Sequence, residues 1–178
     1  MKNHVTLLVA IVGLFASPIV AQSPSASTAD AIRQQYNIVK NNLLKAADKM
    51  PEDGYSFKPT AEERSFGGWI AHVADAQTAG CSRAVGTPKT PSAGGKTAKA
   101  DLVAALKDSF DTCDAAYGAL TDANASDTIQ SFRGPTTRLA ALAGNVAHDN
   151  ECYGAIAVYL RLKGIVPPSS ENMRRPGQ

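Results

Sequence analysis

The sequence predicts an all-α chain folded as a four-helix bundle. Four segments carry apolar residues every three or four positions, the period of one helix face, and no segment alternates as a half-buried strand does. The breaks between them are rich in proline, glycine and polar residues, which hold neither period. Each segment is long enough, at roughly 20–28 residues, to span about 30–40 Å.

The first helix starts at Thr28 and Asp30, which offer N-cap chemistry, and its stripe is Ile32, Tyr36, Val39, Leu43 and Ala47. Pro51 ends it. Residues 51–61 form a turn-rich loop whose Tyr55 and Phe57 are expected to fold back onto the bundle. The second helix runs over about 65–85, with Trp69, His72, Val73, Ala76 and Gly80 facing inward. Residues 86–97 hold two prolines and three glycines among polar residues, and they read as a surface loop. The third helix covers about 98–120, with Leu102, Leu106, Phe110, Cys113 and Tyr117 as its stripe. Residues 121–134 read as a polar connection. Pro135 then suits the first turn of a fourth helix, which Gly164 stops ahead of Pro167 and Pro168.

Residues 1–21 read as a secretory signal: Lys2 opens it, residues 5–15 are apolar, and a small residue, Ala21, closes it. The apolar run falls short of the ~20 residues a membrane span needs, although an uncleaved anchor stays open. Cleavage near Ala21 gives an exported protein, periplasmic or secreted, with no membrane attachment. Residues 22–27 are then a polar tether, 28–170 the folded domain and 171–178 a tail. Losing Lys2 takes the formal charge from +2 to +1. With no basic block and few aromatics, nucleic acid is not an expected partner.

Three cysteines in an exported chain allow one disulfide and one free thiol. Cys81 ends the second helix and Cys113 lies on the apolar face of the third. They meet if those helices are neighbours, and otherwise both are small buried thiols. The remaining cysteine, Cys152, follows His148 by four residues, which stacks an imidazole and a sulfur on one helix face. Together they suit a soft or borderline divalent ion. The lesser readings of Cys152 are an inert core residue and a redox or disulfide partner. Behind the signal the only other histidine is His72. Asp75, three residues on, is a candidate to hold an imidazole tautomer, or else an exposed helix charge. Arg161 is expected to pair with a carboxylate or cap the last carbonyls of the fourth helix.

Three runs together resemble the DinB/YfiT-like family of four-helix-bundle metalloenzymes. They are residues 50–60 after the first helix, residues 66–76 around His72, and residues 148–154 continuing through 159–169. The resemblance covers almost all of residues 28–170. It implies one divalent ion held by one histidine of the second helix and two ligands of the fourth, four residues apart. His72 and His148 match the first two positions. Cys152 stands where the family usually has histidine. That departure implies either a His2Cys site or a bundle without a metal. A thiolate favours zinc, with nickel as the other candidate, and leaves a fourth position open. The resemblance further implies thiol transfer or thiol-dependent isomerisation of an unidentified small molecule, and homodimers. Metal-assisted hydrolysis with Asp75 or Glu151 as base, a non-catalytic metal-binding or stress-associated module, and a metal-free dimerising bundle are the other readings.

Overall fold

The computed structural model describes residues 27–171; the signal region, most of the tether and the last seven residues lie outside it. Four long helices form the bundle: α1 (Thr28–Lys49), α2 (Phe66–Ala84), α3 (Lys99–Gly118) and α4 (Arg138–Leu162). Around the bundle the neighbours run α1, α3, α2, α4 and back to α1. Among the described residues no helix is long and apolar enough to cross a membrane.

The stripes of α1 and α3 lie where their periodicity places them. Tyr36, Val39, Leu43 and Ala47 are buried, and so are Leu102, Leu106, Phe110, Cys113 and Tyr117. Tyr36 stacks on Tyr117 with centroids 3.8 Å apart, and each hydroxyl finds an acceptor: Asp114 Oδ1 at 2.7 Å and Leu142 O at 2.8 Å. Burial of these rings is a main source of cohesion between α1 and α3. Tyr55 and Phe57 fold back as expected. The Tyr55 hydroxyl donates to Ala47 O at 2.7 Å, and the Phe57 ring meets Tyr159 edge-on.

Helix ends follow capping chemistry with one shift. Ser27, rather than Thr28 or Asp30, caps α1, its Oγ accepting from Asp30 N. Asp30 instead adds a favourable negative charge to the first turn and pairs with Arg33. Gly164 ends α4 at φ 73°, while Ile165 N donates to Leu160 O and Gly164 N to Arg161 O. This left-handed stop is the one glycine provides at little cost. Arg161 neither caps the last carbonyls of α4, which accept from the backbone of residues 163–165, nor pairs with a carboxylate among the described residues; it reaches back to Ala157 O and across to Ser170 Oγ.

Two expectations are corrected. Residues 128–137 are not a polar connection running into a helix at Pro135. They form an antiparallel hairpin, β1 (Thr128–Ser131) and β2 (Gly134–Thr137), with Phe132 and Arg133 at the tip. Thr128, Ile129, Thr136 and Thr137 supply β-branched residues, and Gly134 takes φ 101° after the turn. A two-stranded ribbon has only edge strands, so Pro135 is tolerated. Thr137 then caps α4 by accepting from Ala140 N, three residues later than predicted. The inward face of α2 is also rotated: Phe66, Ile70, Val73, Ala74, Gln77 and Cys81 are buried, whereas Trp69, His72, Ala76 and Gly80 are only half-buried.

Cys81 and Cys113 are joined, with Cα atoms 4.9 Å apart, because α2 and α3 are neighbours. Cys152 is the free thiol and is buried. Gln77 Oε1 lies 2.7 Å from Cys113 Sγ, yet a bonded sulfur has no proton to donate. Turning the amide over puts Nε2, which otherwise has no partner, against the sulfur.

Gly144 sits inside α4 with open space where a Cβ would project. Gly144→Ala is therefore expected to stabilise the fold by about 0.5–1 kcal/mol, measured by urea unfolding.

Candidate metal centre

The half-buried line of α2 faces α4, and there the structure brings together His72, His148 and Cys152. One donor atom from each lies within 4.8 Å of the others, the only such trio among the described residues. His72 Nε2 is 3.1 Å from His148 Nε2, and Cys152 Sγ is 3.6 Å from the same nitrogen. His148 and Cys152 are one α4 turn apart, so helix geometry stacks them. His72 comes from the neighbouring helix.

These spacings fit a tetrahedral zinc. Bonds of about 2.0 Å to nitrogen and 2.3 Å to sulfur set N···N edges of about 3.3 Å and N···S edges of about 3.6 Å. The donor set is also of the right chemistry, two imidazoles and one sulfur, with three protein ligands leaving a fourth position.

The surroundings bias both imidazoles. Trp69 covers His72 edge-on, with centroids 5.9 Å apart. Burial, then the Arg64 charge and then His148, hold the His72 pKa below its ordinary value. That keeps its ring neutral, as a ligand must be. His148 is pushed the other way, up to about 10, first by Asp149 and then by Cys152, against the effect of burial.

Asp149 is the residue sequence reasoning missed. It is fully buried, and neither carboxylate oxygen has a hydrogen-bond partner. Burial pushes its pKa up, and the facing His148 holds it back. His148 Nδ1 lies 3.7 Å from Asp149 Oδ1, an ionic contact rather than a formed hydrogen bond. The buried carboxylate thus favours positive charge on the His148 ring, while the Cys152 sulfur lies beside that ring, 3.6 Å from Nε2 and 3.9 Å from Nδ1. A signal existed in the sequence. Asp149 falls on the buried stripe of α4, between Val146 and Tyr153, where a charge is out of place.

Asp75, the residue expected to support an imidazole, is used elsewhere: its Oδ1 accepts from Ala93 N at 2.7 Å and pins the 86–97 loop. Glu151 is exposed on α4. Asp149→Asn is expected to weaken zinc binding by about 10–100-fold. Competition against a chromophoric chelator would measure it. Because Asp149 is the main cause of the raised His148 pKa, Asp149→Asn should also lower the metal-free thermal midpoint at neutral pH and flatten its fall between pH 7 and 10.

A cleft of about 520 Å³ opens beside His148, between α2 and α4 and under the hairpin. Arg83 lies over the Phe132 ring at 4.1 Å, and Arg138 donates to Ala84 O at 2.6 Å, so the hairpin and the start of α4 are tied to the end of α2.

Comparison with known proteins agrees with this architecture. A DinB-like protein from Bacillus cereus ATCC 10987 superposes with a TM-score of 0.68 at 16% identity, over 78% of this chain and 95% of its own. A DinB-like protein from Bacillus subtilis gives a TM-score of 0.62 at 20% identity, over 80% of this chain and 99% of its own. At these identities the likeness shows the fold. No curated protein sequence matches the chain. The DinB superfamily model matches residues 35–156, which span α1 through most of α4 and include His72, His148 and Cys152, and the chain therefore belongs to the DinB superfamily.

Proposed function

We propose that the protein is an exported, metal-dependent enzyme acting on a small molecule, with one divalent ion, zinc before nickel, held by His72, His148 and Cys152. The observation that carries this reading is the convergence of the three donor atoms at spacings suited to zinc. The Cys81–Cys113 bond suits an exported setting.

When bound, the ion supplies Lewis acidity at a coordination position left free by the chain. The residues do the rest. Asp149 places a buried carboxylate beside the His148 ring, Trp69 packs edge-on against His72, and the cleft admits substrate from the α2–α4 side. No carboxylate lines that cleft. A group serving as general base for water is thus missing from its walls. The Cys152 sulfur also gives the site more negative charge than a third imidazole would, which makes it less able to acidify water. A thiol ordinarily loses its proton near pH 8.5, far below water at about 15.7, and so needs less help. Thiol transfer to an electrophile is favoured over hydrolysis on both grounds.

The test is zinc-dependent consumption of a small aliphatic thiol in the presence of an electrophile such as a chlorodinitroarene. Chelation should abolish the acceleration and zinc add-back should restore it. Equal rates with loaded and metal-free protein would contradict the proposal.

A further inference from the structure

We infer that the cleft beside His148 binds an extended organic anion, apolar in its middle, whose negative end is held by Arg83 and Arg133. This deepens the functional reading above and rests on it only for what meets the ligand's other end.

The α2 side of the cleft is a single line. Ala76, Gly80 and Arg83 line it at steps of 4 and 3, and His72 lies one turn before Ala76, outside the cleft wall. Eleven residues at 1.5 Å each separate the backbone positions of His72 and Arg83 by about 16 Å along the axis. On α4, Ala141, Gly144 and His148 form the facing line. Small residues keep both helix surfaces low. A Cβ on Gly80 or Gly144 would meet nothing within 4 Å, so the missing side chains leave open space rather than a close helix contact. The hairpin closes the far end with Ile129 and Phe132, which gives that end an apolar wall.

Charge sets the class of ligand. Arg83 and Arg133 line the cleft, and no Asp or Glu does. Among the described residues neither arginine makes an ion pair, whereas Arg33 pairs with Asp30 and Arg138 with Asp127. Arg83 is held in place, with Nη1 donating to Ala79 O at 2.8 Å and the guanidinium carbon 4.1 Å from the Phe132 ring centroid. Two uncompensated guanidinium groups at one end of an apolar slot are suited to a carboxylate, which their planar forks bind with strong charge-assisted hydrogen bonds. A volume of about 520 Å³ is in the usual range for such a ligand.

The experiment is calorimetric titration of the full-length protein with octanoate, octanol and octylamine, in zinc-loaded and chelator-treated forms. Octanoate should bind, and octanol and octylamine should bind at least tenfold more weakly or not at all. Arg83→Gln should cost about tenfold in octanoate affinity, with Arg83→Lys recovering part of it. Gly144→Leu, which meets no neighbouring atom at its Cβ, should keep the fold by circular dichroism yet abolish binding. The anion end is independent of the metal, so octanoate should bind the chelated protein as well. Loss of binding on chelation would overturn the assignment to the arginines. Equal affinity for octanoate and octanol, no octanoate binding to either form, or unchanged affinity in an Arg83→Gln, Arg133→Gln double variant would also overturn the inference. Each of those results would leave zinc stoichiometry intact and so would be distinguishable from failure of the metal reading.

Discussion

Replacing His148 with Ala is expected to lower zinc affinity by about 10²–10³-fold. Zinc sites that bind with about 10–16 kcal/mol share it among four ligands, so one ligand carries about 2.5–4 kcal/mol. His148 is the largest single loss because both other donors are placed against it: His72 Nε2 at 3.1 Å and Cys152 Sγ at 3.6 Å. Affinity should also climb with pH. In the metal-free protein Asp149, then Cys152, hold a proton on His148 up to about pH 10. Binding must displace that proton, so the affinity should rise about tenfold per pH unit through the neutral range from this group alone. The same shift acts in reverse on the metal-free fold. A histidine raised above its ordinary value near 6.5 stabilises the native state fully below that pH, and the contribution fades as pH rises toward 10. Thermal midpoints of metal-free protein should therefore fall between pH 7 and 10, while the increment from added zinc grows. A midpoint increment that shrinks with rising pH would contradict the assignment.

The second large effect concerns the bond between Cys81 and Cys113. It spans 32 residues, and the chain-entropy relation gives a stabilisation of about 3–4 kcal/mol for a loop of that size. A Cys81→Ser, Cys113→Ser double variant should melt about 10 °C lower. Both sulfurs are fully buried, so the native bond should resist mild reductant while the unfolded chain does not. Thiol titration of denatured, unreduced protein should find one reactive group per chain, from Cys152.

Much of this was legible in the residues, for reasons that also explain the gaps. α1 and α3 bury large apolar groups at regular steps, so Tyr36, Leu43, Leu106 and Phe110 announce their own faces. The end of α4 was readable from Gly164 because a left-handed stop needs a residue without a Cβ. α2 was misjudged in rotation. Its alanines and glycines lie on every side, and the line through His72 looked like a core stripe although it borders a cleft. The hairpin escaped because each strand is only four residues long, too short for alternation to register. Of the site, His72, His148 and Cys152 were visible through helical spacing and family resemblance. Asp149 was not. Its importance lies in burial beside a neighbouring imidazole, and adjacency along a helix does not reveal that two side chains will come within ionic contact. Asp75 looked better placed at three residues from His72, but the 86–97 loop claims its carboxylate through Ala93.

Absorption spectroscopy at the zinc edge, on full-length protein purified with zinc add-back, bears most directly on the metal centre. One zinc per chain is expected, with a single sulfur at about 2.3 Å and nitrogen neighbours at about 2.0 Å. The sulfur shell should vanish in Cys152→Ala. Failure to retain stoichiometric zinc, or a first shell of nitrogen and oxygen alone in the unaltered protein, would contradict the claim that His72, His148 and Cys152 hold one ion.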